Sequence, residues 1–172
     1  MTILQELLYL SEAKEKNLIG LTIYGKLITD KTPTEHWPGN FDCSFNQLVS
    51  LEGAPSEVGG YFYCYDNKLE SLEGAPSSVG GYFDCSYNQL KNLKDIHKIL
   101  KKMDGSFFAH SNPIKSHVLG LLKIQGCRKV IIDNQEVQDI LNKYLPNTKG
   151  DKAVIECGFE LQDAGLDEYA KI

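Results

Sequence analysis

The stretch Phe41-Asp42-Cys43-Ser44-Phe45-Asn46-Gln47-Leu48 opens a unit that recurs from Phe62 and again from Phe83. Successive copies are 21 residues apart, and three further columns keep the same spacing: Cys43, Cys64 and Cys85; Asn46, Asn67 and Asn88; Leu48, Leu69 and Leu90. A fixed period of this length is typical of a solenoid in which each repeat forms one coil. The period therefore predicts the architecture of the chain.

The overall composition is that of an ordinary folded domain. The chain has 172 residues, of which 42% are hydrophobic and 24% charged, and its net charge is -5. A negative chain is a poor partner for nucleic acid, because phosphate backbones are bound by clustered Lys and Arg. No apolar run reaches the roughly 20 residues of a transmembrane helix, and the first residues lack a signal-peptide pattern. We therefore expect a cytoplasmic protein that binds neither nucleic acid nor membranes.

Each repeat is expected to begin with a short strand that buries its Phe and Cys. Residues two apart on a strand share a face, so Phe41 and Cys43 point inward together. The Asn three places after each Cys can bond the backbone of neighbouring coils. The Gly-Ala-Pro and Gly-Gly elements that follow predict an extended return arm and a tight bend into the next strand.

The cysteine column could suggest a metal site, but it fits the core better. Neighbouring strands lie about 4.8 Å apart, which would bring the thiols of Cys43, Cys64 and Cys85 within reach of one another. No fourth Cys or His lies at the same level of the repeat, and the total of five cysteines is odd. An odd count disfavours a disulfide framework. We expect buried free thiols, without a metal or cofactor.

The N-terminal segments are predicted to close one end of the stack. Thr2 and a stripe of Leu residues predict an amphipathic helix over 1–17, which either caps the repeats or docks on another protein. Alternating apolar residues from Leu18 predict a strand, so that 18–39 is a degenerate opening repeat. Trp37 is expected to pack on the flank of the first full repeat.

The period changes after Leu93. The helical pattern of 95–103 predicts a helical return arm, and Phe107 opens the next strand 24 residues after Phe83. Farther on we expect strands at 119–124 and 129–133, a helix that begins at Asp133 or Asn134 and stops at Pro146, and two short helices around Gly165. Four residues of this last region are expected in the core: Phe159, Leu161, Leu166 and Tyr169.

The pattern Phe-x-Cys-x-x-Asn-x-Leu-x-x-Leu resembles the Leu-x-Leu-x-x-Asn-x-Leu-x-x-Leu signature of leucine-rich repeats in their short form. Its Leu-Glu-Gly-Ala-Pro and Val-Gly-Gly elements are similar to repeats of bacteriophage proteins, as 133–146 and 160–172 are to the C-terminal cap of those proteins. Over 40–115 the resemblance implies a leucine-rich-repeat solenoid, α/β but β-rich, with a parallel-stranded concave sheet, extended return arms and an α/β cap over 116–172. It also implies a non-catalytic binding scaffold in the cytoplasm of a bacterial host.

The outward side of the strands is the candidate binding surface. Exposed aromatic residues dominate protein-binding hot spots, although Tyr also suits strands wherever they occur. The acidic residues of this side have no evident structural role in the sequence, which favours a binding surface. We expect a protein-binding site formed by Asp42, Tyr61, Tyr63, Tyr65, Asp66, Tyr82, Asp84, Tyr87, Phe108 and His110.

No motif of phosphate binding, zinc proteolysis or serine hydrolysis occurs in the chain, so we expect no enzyme. The phage resemblance suggests that the protein partner is a host or defence component that the protein inhibits. Two alternatives stay open. The chain is a virion or assembly component docked through Leu4, Leu7 and Leu8, or its Tyr/Asp face sequesters a small molecule, although a flat sheet lacks the enclosed pocket such ligands prefer.

Overall fold

The computed structural model describes residues 18, 21–23, 26–27, 36–145 and 151–171. The repeats form a parallel-stranded, β-rich solenoid of about four turns, which confirms the predicted architecture. The strands are short because each coil turns soon after its buried Phe and Cys. Nine strands and three α-helices are defined in these residues: β1 (Thr22–Ile23), β2 (Lys26–Leu27), β3 (Phe41–Asp42), β4 (Glu57–Val58), β5 (Phe62–Tyr63), β6 (Ser78–Val79), β7 (Phe83–Asp84), α1 (Ile96–Ile99), β8 (Lys102–Phe108), β9 (Gln125–Ile131), α2 (Gln135–Tyr144) and α3 (Asp151–Asp163).

The coils stack in the register that the sequence period predicts. In the first row of strands, Phe41 pairs with Phe62, Phe62 with Phe83, and Phe83 with Phe107, all in parallel. The return arms form a second row in which β4 pairs with β6 and β6 with the start of β8. Strand β9 pairs with β8 and adds a further rung. The core lies between the two rows.

Stacked aromatic rings and thiols fill this core. The rings of Phe41, Phe62, Phe83 and Phe107 follow one another at centroid distances of 5.6, 5.1 and 5.3 Å, and all four side chains are fully buried. The column of Cys43, Cys64 and Cys85 lies beside them, also fully buried and with free thiols. The inward orientation predicted for both columns is confirmed.

The Asn column links each coil to its neighbour. The side-chain amide of Asn67 donates to the carbonyl oxygens of Cys43 and Cys64. Its carbonyl oxygen accepts the backbone N–H groups of Asn46 and Leu48 at 3.0 and 2.8 Å. Turn groups that the strands leave without a partner are thereby satisfied, as the sequence predicts.

The same ladder continues through later coils. Asn88 and Asn112 each repeat three of these four contacts, one and two coils further on. Asp133 then takes the next place, where its carboxylate accepts the backbone N–H groups of Ser111 and Asn112. Asp133 lacks the amide donors of Asn, so the ladder of side-chain amides ends at this residue, where the C-terminal cap begins.

The bends between the rows bring backbones of successive coils into close contact. A Cβ atom at Gly80 would lie 2.1 Å from the carbonyl oxygen of Gly59, and one at Gly59 would lie 2.7 Å from that of Pro38. These positions therefore accept glycine alone without a shift of the coil spacing.

The N-terminal prediction is wrong in its geometry. The described residues of 18–28 do not form the single strand predicted there, because β1 and β2 pair in antiparallel fashion as a separate two-stranded sheet. In the sequence two residues, Tyr24 and Gly25, lie between these strands. Trp37 does pack on the first full repeat: it bridges to Val58, and its ring meets Phe41 edge-on at 5.1 Å. The helix predicted over 1–17 lies outside the described residues.

The return arm after Leu93 contains the predicted helix, although α1 is only four residues long. The strand predicted at 119–124 is wrong, because Leu119–Lys123 forms a 3-10 helix with four buried residues. A short, wholly apolar run has no periodicity to distinguish strand from helix. Strand β9 begins four residues before the predicted 129.

In the C-terminal cap, the helices α2 and α3 pack against β9 and the 3-10 helix at the end of the solenoid. Asn134 caps α2 by accepting the N–H of Val137, as predicted. The two short helices expected around Gly165 are instead the single helix α3, which ends before it. Leu161 is buried as predicted, whereas Phe159 is 62% exposed and was wrongly assigned to the core. Leu166 and Tyr169 pack partly against the core.

Candidate functional site

The predicted site residues lie on the outward side of the first row of strands. Pairing places Asp42, Tyr63, Asp84 and Phe108 directly opposite one another on successive strands. All four are partly exposed. The sheet thus brings side chains that are 21 to 24 residues apart in sequence into one row across the solenoid.

A continuous series of ring contacts covers this side of the sheet. Centroids of neighbouring rings are 4.9 to 6.3 Å apart, in the order Phe45, Tyr65, Tyr63, Tyr61, Tyr82 and Phe108. Tyr87 and His110 form a second pair at 5.2 Å. We call this surface the aromatic face; it comprises the ten predicted site residues and Phe45.

Phe45 was not among the predicted site residues, yet it is 67% exposed. Phe45, Asp66, Tyr87 and Ser111 occupy the same place in successive coils, and all have left-handed backbone, with φ of 60°, 53°, 54° and 56°. Asp and Asn enter this region more readily than bulky residues. Two of the four positions nevertheless carry exposed aromatic rings, since Tyr87 is 57% exposed. In the sequence this position immediately precedes each ladder Asn and flanks the outward columns.

Two acidic residues have a structural role that the sequence did not reveal. Asp42 accepts the backbone N–H of Ser44 at 3.0 Å, and Asp84 accepts that of Ser86 at 2.9 Å. This local turn uses one carboxylate oxygen of each Asp. The expectation that these residues have no structural purpose is therefore wrong, although no hydrogen bond among the described residues engages the second oxygen of either.

Two tyrosines of the aromatic face lie flat on glycines of the next coil. A Cβ atom at Gly81 would come within 2.2 Å of Tyr61 Cδ1, and one at Gly105 within 2.4 Å of Tyr82 Cδ1. The rings of Tyr61 and Tyr82 are themselves stacked at 5.1 Å. Glycine thus provides the space that fixes these rings before any ligand arrives.

The charge of the aromatic face resides on its carboxylates. Burial, followed by the nearby Asp42, raises the pKa of the Cys43 thiol, and burial does the same for Cys64 and Cys85. The thiols beneath the face are therefore neutral. Among the described residues, no ion pair involves Asp42, Asp66 or Asp84.

Strand β9 extends the sheet by one rung that the sequence did not place. Ser106 pairs with Lys129 and Phe108 with Ile131. The sequence predicted a strand in this region, but the 21-residue period had ended and gave no register. Lys129 puts a cation at the far edge of the sheet.

The described part of the chain contains no group of three His, Cys, Asp or Glu residues arranged to hold a metal. Within the same ranges, no helix is long and apolar enough to cross a membrane. Leu4, Leu7 and Leu8, the candidate docking stripe of the N-terminus, lie outside the described residues.

One cleft, of about 450 Å³, lies on the return-arm side of the solenoid and not on the aromatic face. Its walls include Glu70, Leu72, Leu93, Asp95 and Ile99. The predicted site residues are absent from its lining. Two further clefts within the described residues are likewise lined by residues outside the aromatic face.

Comparisons of the chain with family models, with curated proteins and with solved structures gave no match.

Proposed function

We propose that the protein is a non-catalytic scaffold that binds a partner protein through the aromatic face. One observation carries the proposal: Phe45 and Tyr87 expose large rings from left-handed backbone, where a short polar residue fits at lower cost. Such a conformation costs a bulky residue on the order of 1–3 kcal/mol. Asp66 occupies the equivalent place between them, so the coil does not need an aromatic residue there.

The fixed rings of the face support the same proposal. Tyr61 and Tyr82 are held on Gly81 and Gly105, so they lose little side-chain entropy when a partner covers them. Rigid aromatic side chains are the usual anchors of protein interfaces. A row of exposed rings of this kind suits a protein surface better than a small molecule, which prefers an enclosed cavity.

The phage resemblance extends the proposal to the class of partner. On this view the partner is a host or anti-phage defence protein in the bacterial cytoplasm, which the scaffold inhibits by covering its working surface. This part rests on the Leu-Glu-Gly-Ala-Pro and Val-Gly-Gly elements and on the cap. A purified complex should lose the partner's activity in proportion to its occupancy; undiminished activity at full occupancy would remove the inhibitory role.

The binding proposal is tested by affinity capture from lysate of infected bacterial cells. The double variant Phe45→Asn and Tyr87→Asn keeps residues that tolerate left-handed backbone, so its fold should persist. Loss of two anchor rings should lower recovery of the partner more than about tenfold. Phe159→Ala is the matched control, because Phe159 is similarly exposed but lies on α3. Equal recovery by the double variant and the control would contradict the proposal.

A further inference from the structure

Tyr63 lies at the centre of a cluster that combines rings with carboxylates. Its neighbours across the sheet are Asp42 on one strand and Asp84 on the other, in direct register. Along the chain, the rings of Tyr61 and Tyr65 lie 5.9 and 6.3 Å from that of Tyr63, tilted by 57° and 85°. Three rings and two carboxylates therefore surround one part of the surface.

The carboxylates of this cluster keep unused acceptor capacity. Asp42 and Asp84 each accept one N–H through Oδ1, from Ser44 and Ser86. No hydrogen bond or ion pair within the described residues engages Oδ2 of either. Two negative charges with a free oxygen thus flank an aromatic ring, and this arrangement is complementary to a cation.

Two buried hydroxyl groups provide an independent observation. Ser44 and Ser86 lie in the coils before and after Tyr65, and they are only 9% and 1% exposed. Neither Oγ atom has a hydrogen-bond partner within the described residues. Each follows a face Asp by two residues, and the amide of each bonds that Asp side chain. A buried polar atom without a partner costs about 1–3 kcal/mol, a cost that a bound donor or a water molecule beside it would relieve.

We propose that this cluster is a binding site for a guanidinium group, so that the partner protein presents an arginine side chain to it. Guanidinium is planar and stacks on tyrosine, and its five N–H donors match carboxylate oxygens and hydroxyls. An apolar side chain would leave two carboxylates buried without a counter-charge, and an acidic one would be repelled. The inference rests on the proposed function and specifies the chemistry of the partner.

The test uses the full chain labelled with nitrogen-15 and titrated with Nα-acetyl-arginine amide at constant ionic strength. Saturable chemical-shift changes are expected at the backbone amides of Ser44, Tyr63, Tyr65 and Ser86. Nα-acetyl-citrulline amide has nearly the same shape without the charge, and it should give no saturable change at these amides. Equal responses to both probes, or changes confined to other parts of the chain, would overturn the proposal.

Asp84→Asn is the matched variant, because its amide oxygen can still accept the Ser86 N–H. Removing one of the two charges should weaken binding of the arginine probe by about tenfold. Asp104→Asn removes an equal charge that pairs with Arg128 and belongs neither to the cluster around Tyr63 nor to the aromatic face, so it should change binding less than about twofold. An unchanged affinity in Asp84→Asn would overturn the proposal.

A neutral oligosaccharide, cellotriose, serves as a competing probe because sugars also stack on tyrosine. Saturable shifts with cellotriose and none with the arginine amide would overturn the guanidinium site in favour of a carbohydrate site. The probes need no partner protein, so failure here is distinct from failure of the capture experiment. If the arginine amide binds but the Phe45/Tyr87 double variant still captures the partner protein, the guanidinium site is retained and the proposed function is rejected.

Discussion

At the scale of single residues, the sequence predicted the inward side of the coil better than the outward side. Phe41 and Cys43 were placed correctly because strand alternation and the 21-residue period leave them one orientation. The structural roles of Asp42 and Tyr61 were not predictable, because the first depends on a turn within the coil and the second on a glycine of the next coil. Sequence period identifies columns of residues, but it does not reveal the side-chain contacts between them.

The Asn ladder gives a prediction at this scale. Asn67→Ala would remove the acceptor of two backbone N–H groups and one donor to each of three carbonyl groups at once. Each unsatisfied buried group costs about 1–3 kcal/mol, so the free energy of unfolding should fall by about 3 kcal/mol or more. Urea unfolding followed by circular dichroism measures the change.

Asn46→Ala is the matched control for Asn67→Ala. Asn46 belongs to the first full repeat, and among the described residues its side chain bonds only the carbonyl groups of Cys43 and Ser44, within its own coil. It should cost about 1 kcal/mol. Similar losses for both variants would show that the contacts between coils do not stabilise the solenoid.

At the scale of elements, close backbone contact between coils limits which residues fit the bends. Gly80 and Gly39 lie two coils apart in adjacent columns of the Gly-Gly bend, yet only Gly80 faces a neighbouring backbone. A Cβ atom at Gly80 meets the Gly59 carbonyl oxygen at 2.1 Å, whereas one at Gly39 has nothing within 4 Å. The same kind of residue therefore has different roles at the end and in the middle of the stack.

This difference gives a prediction. Gly80→Ala should lower the free energy of unfolding by at least about 2 kcal/mol, because overpacked interiors have no cheap way to relax. Gly39→Ala should change it by less than about 0.5 kcal/mol. The thermal unfolding midpoints of the two variants measure this difference. An unchanged midpoint for Gly80→Ala would mean that the coils can move apart at little cost.

The elements at the two ends were harder to predict than the repeats. Residues 119–123 are a buried 3-10 helix and 151–163 a single helix, because packing against the last coil decides between alternatives that the sequence leaves equal. The cap residue Asn134 was predicted because its chemistry is local. Outside the repeats, tertiary contacts rather than sequence periodicity thus determine the secondary structure.

At the scale of the whole molecule, the buried thiols make the free energy of unfolding depend on pH. Burial raises the pKa of the column Cys43, Cys64 and Cys85 above the ordinary 9.0, and that of Cys127 and Cys157 to about 12. The unfolded chain therefore loses these protons at a lower pH than the folded chain. The stabilisation by the protonated thiols is complete below about pH 9, and it is lost as the pH rises toward the pKa values of the folded chain.

We therefore expect the urea midpoint to fall above pH 9. Each thiol contributes up to about 1.4 kcal/mol per pH unit in this range. Cys64→Ala removes one such proton and should reduce the slope of stability against pH, whatever it does to stability at neutral pH. An unchanged slope would mean that Cys64 does not differ in pKa between the folded and unfolded chain.

The central claim, that the aromatic face binds a partner protein, is tested most directly by a photo-crosslinker. We would introduce p-benzoylphenylalanine in place of Phe45 or Tyr87, and in place of Phe159 as the control, and irradiate each in lysate of infected bacterial cells. Our account predicts one and the same crosslinked protein from Phe45 and Tyr87, displaced by excess unmodified chain, and none of it from Phe159. Crosslinks of that protein to Phe159 alone, or different proteins at Phe45 and Tyr87, would contradict it.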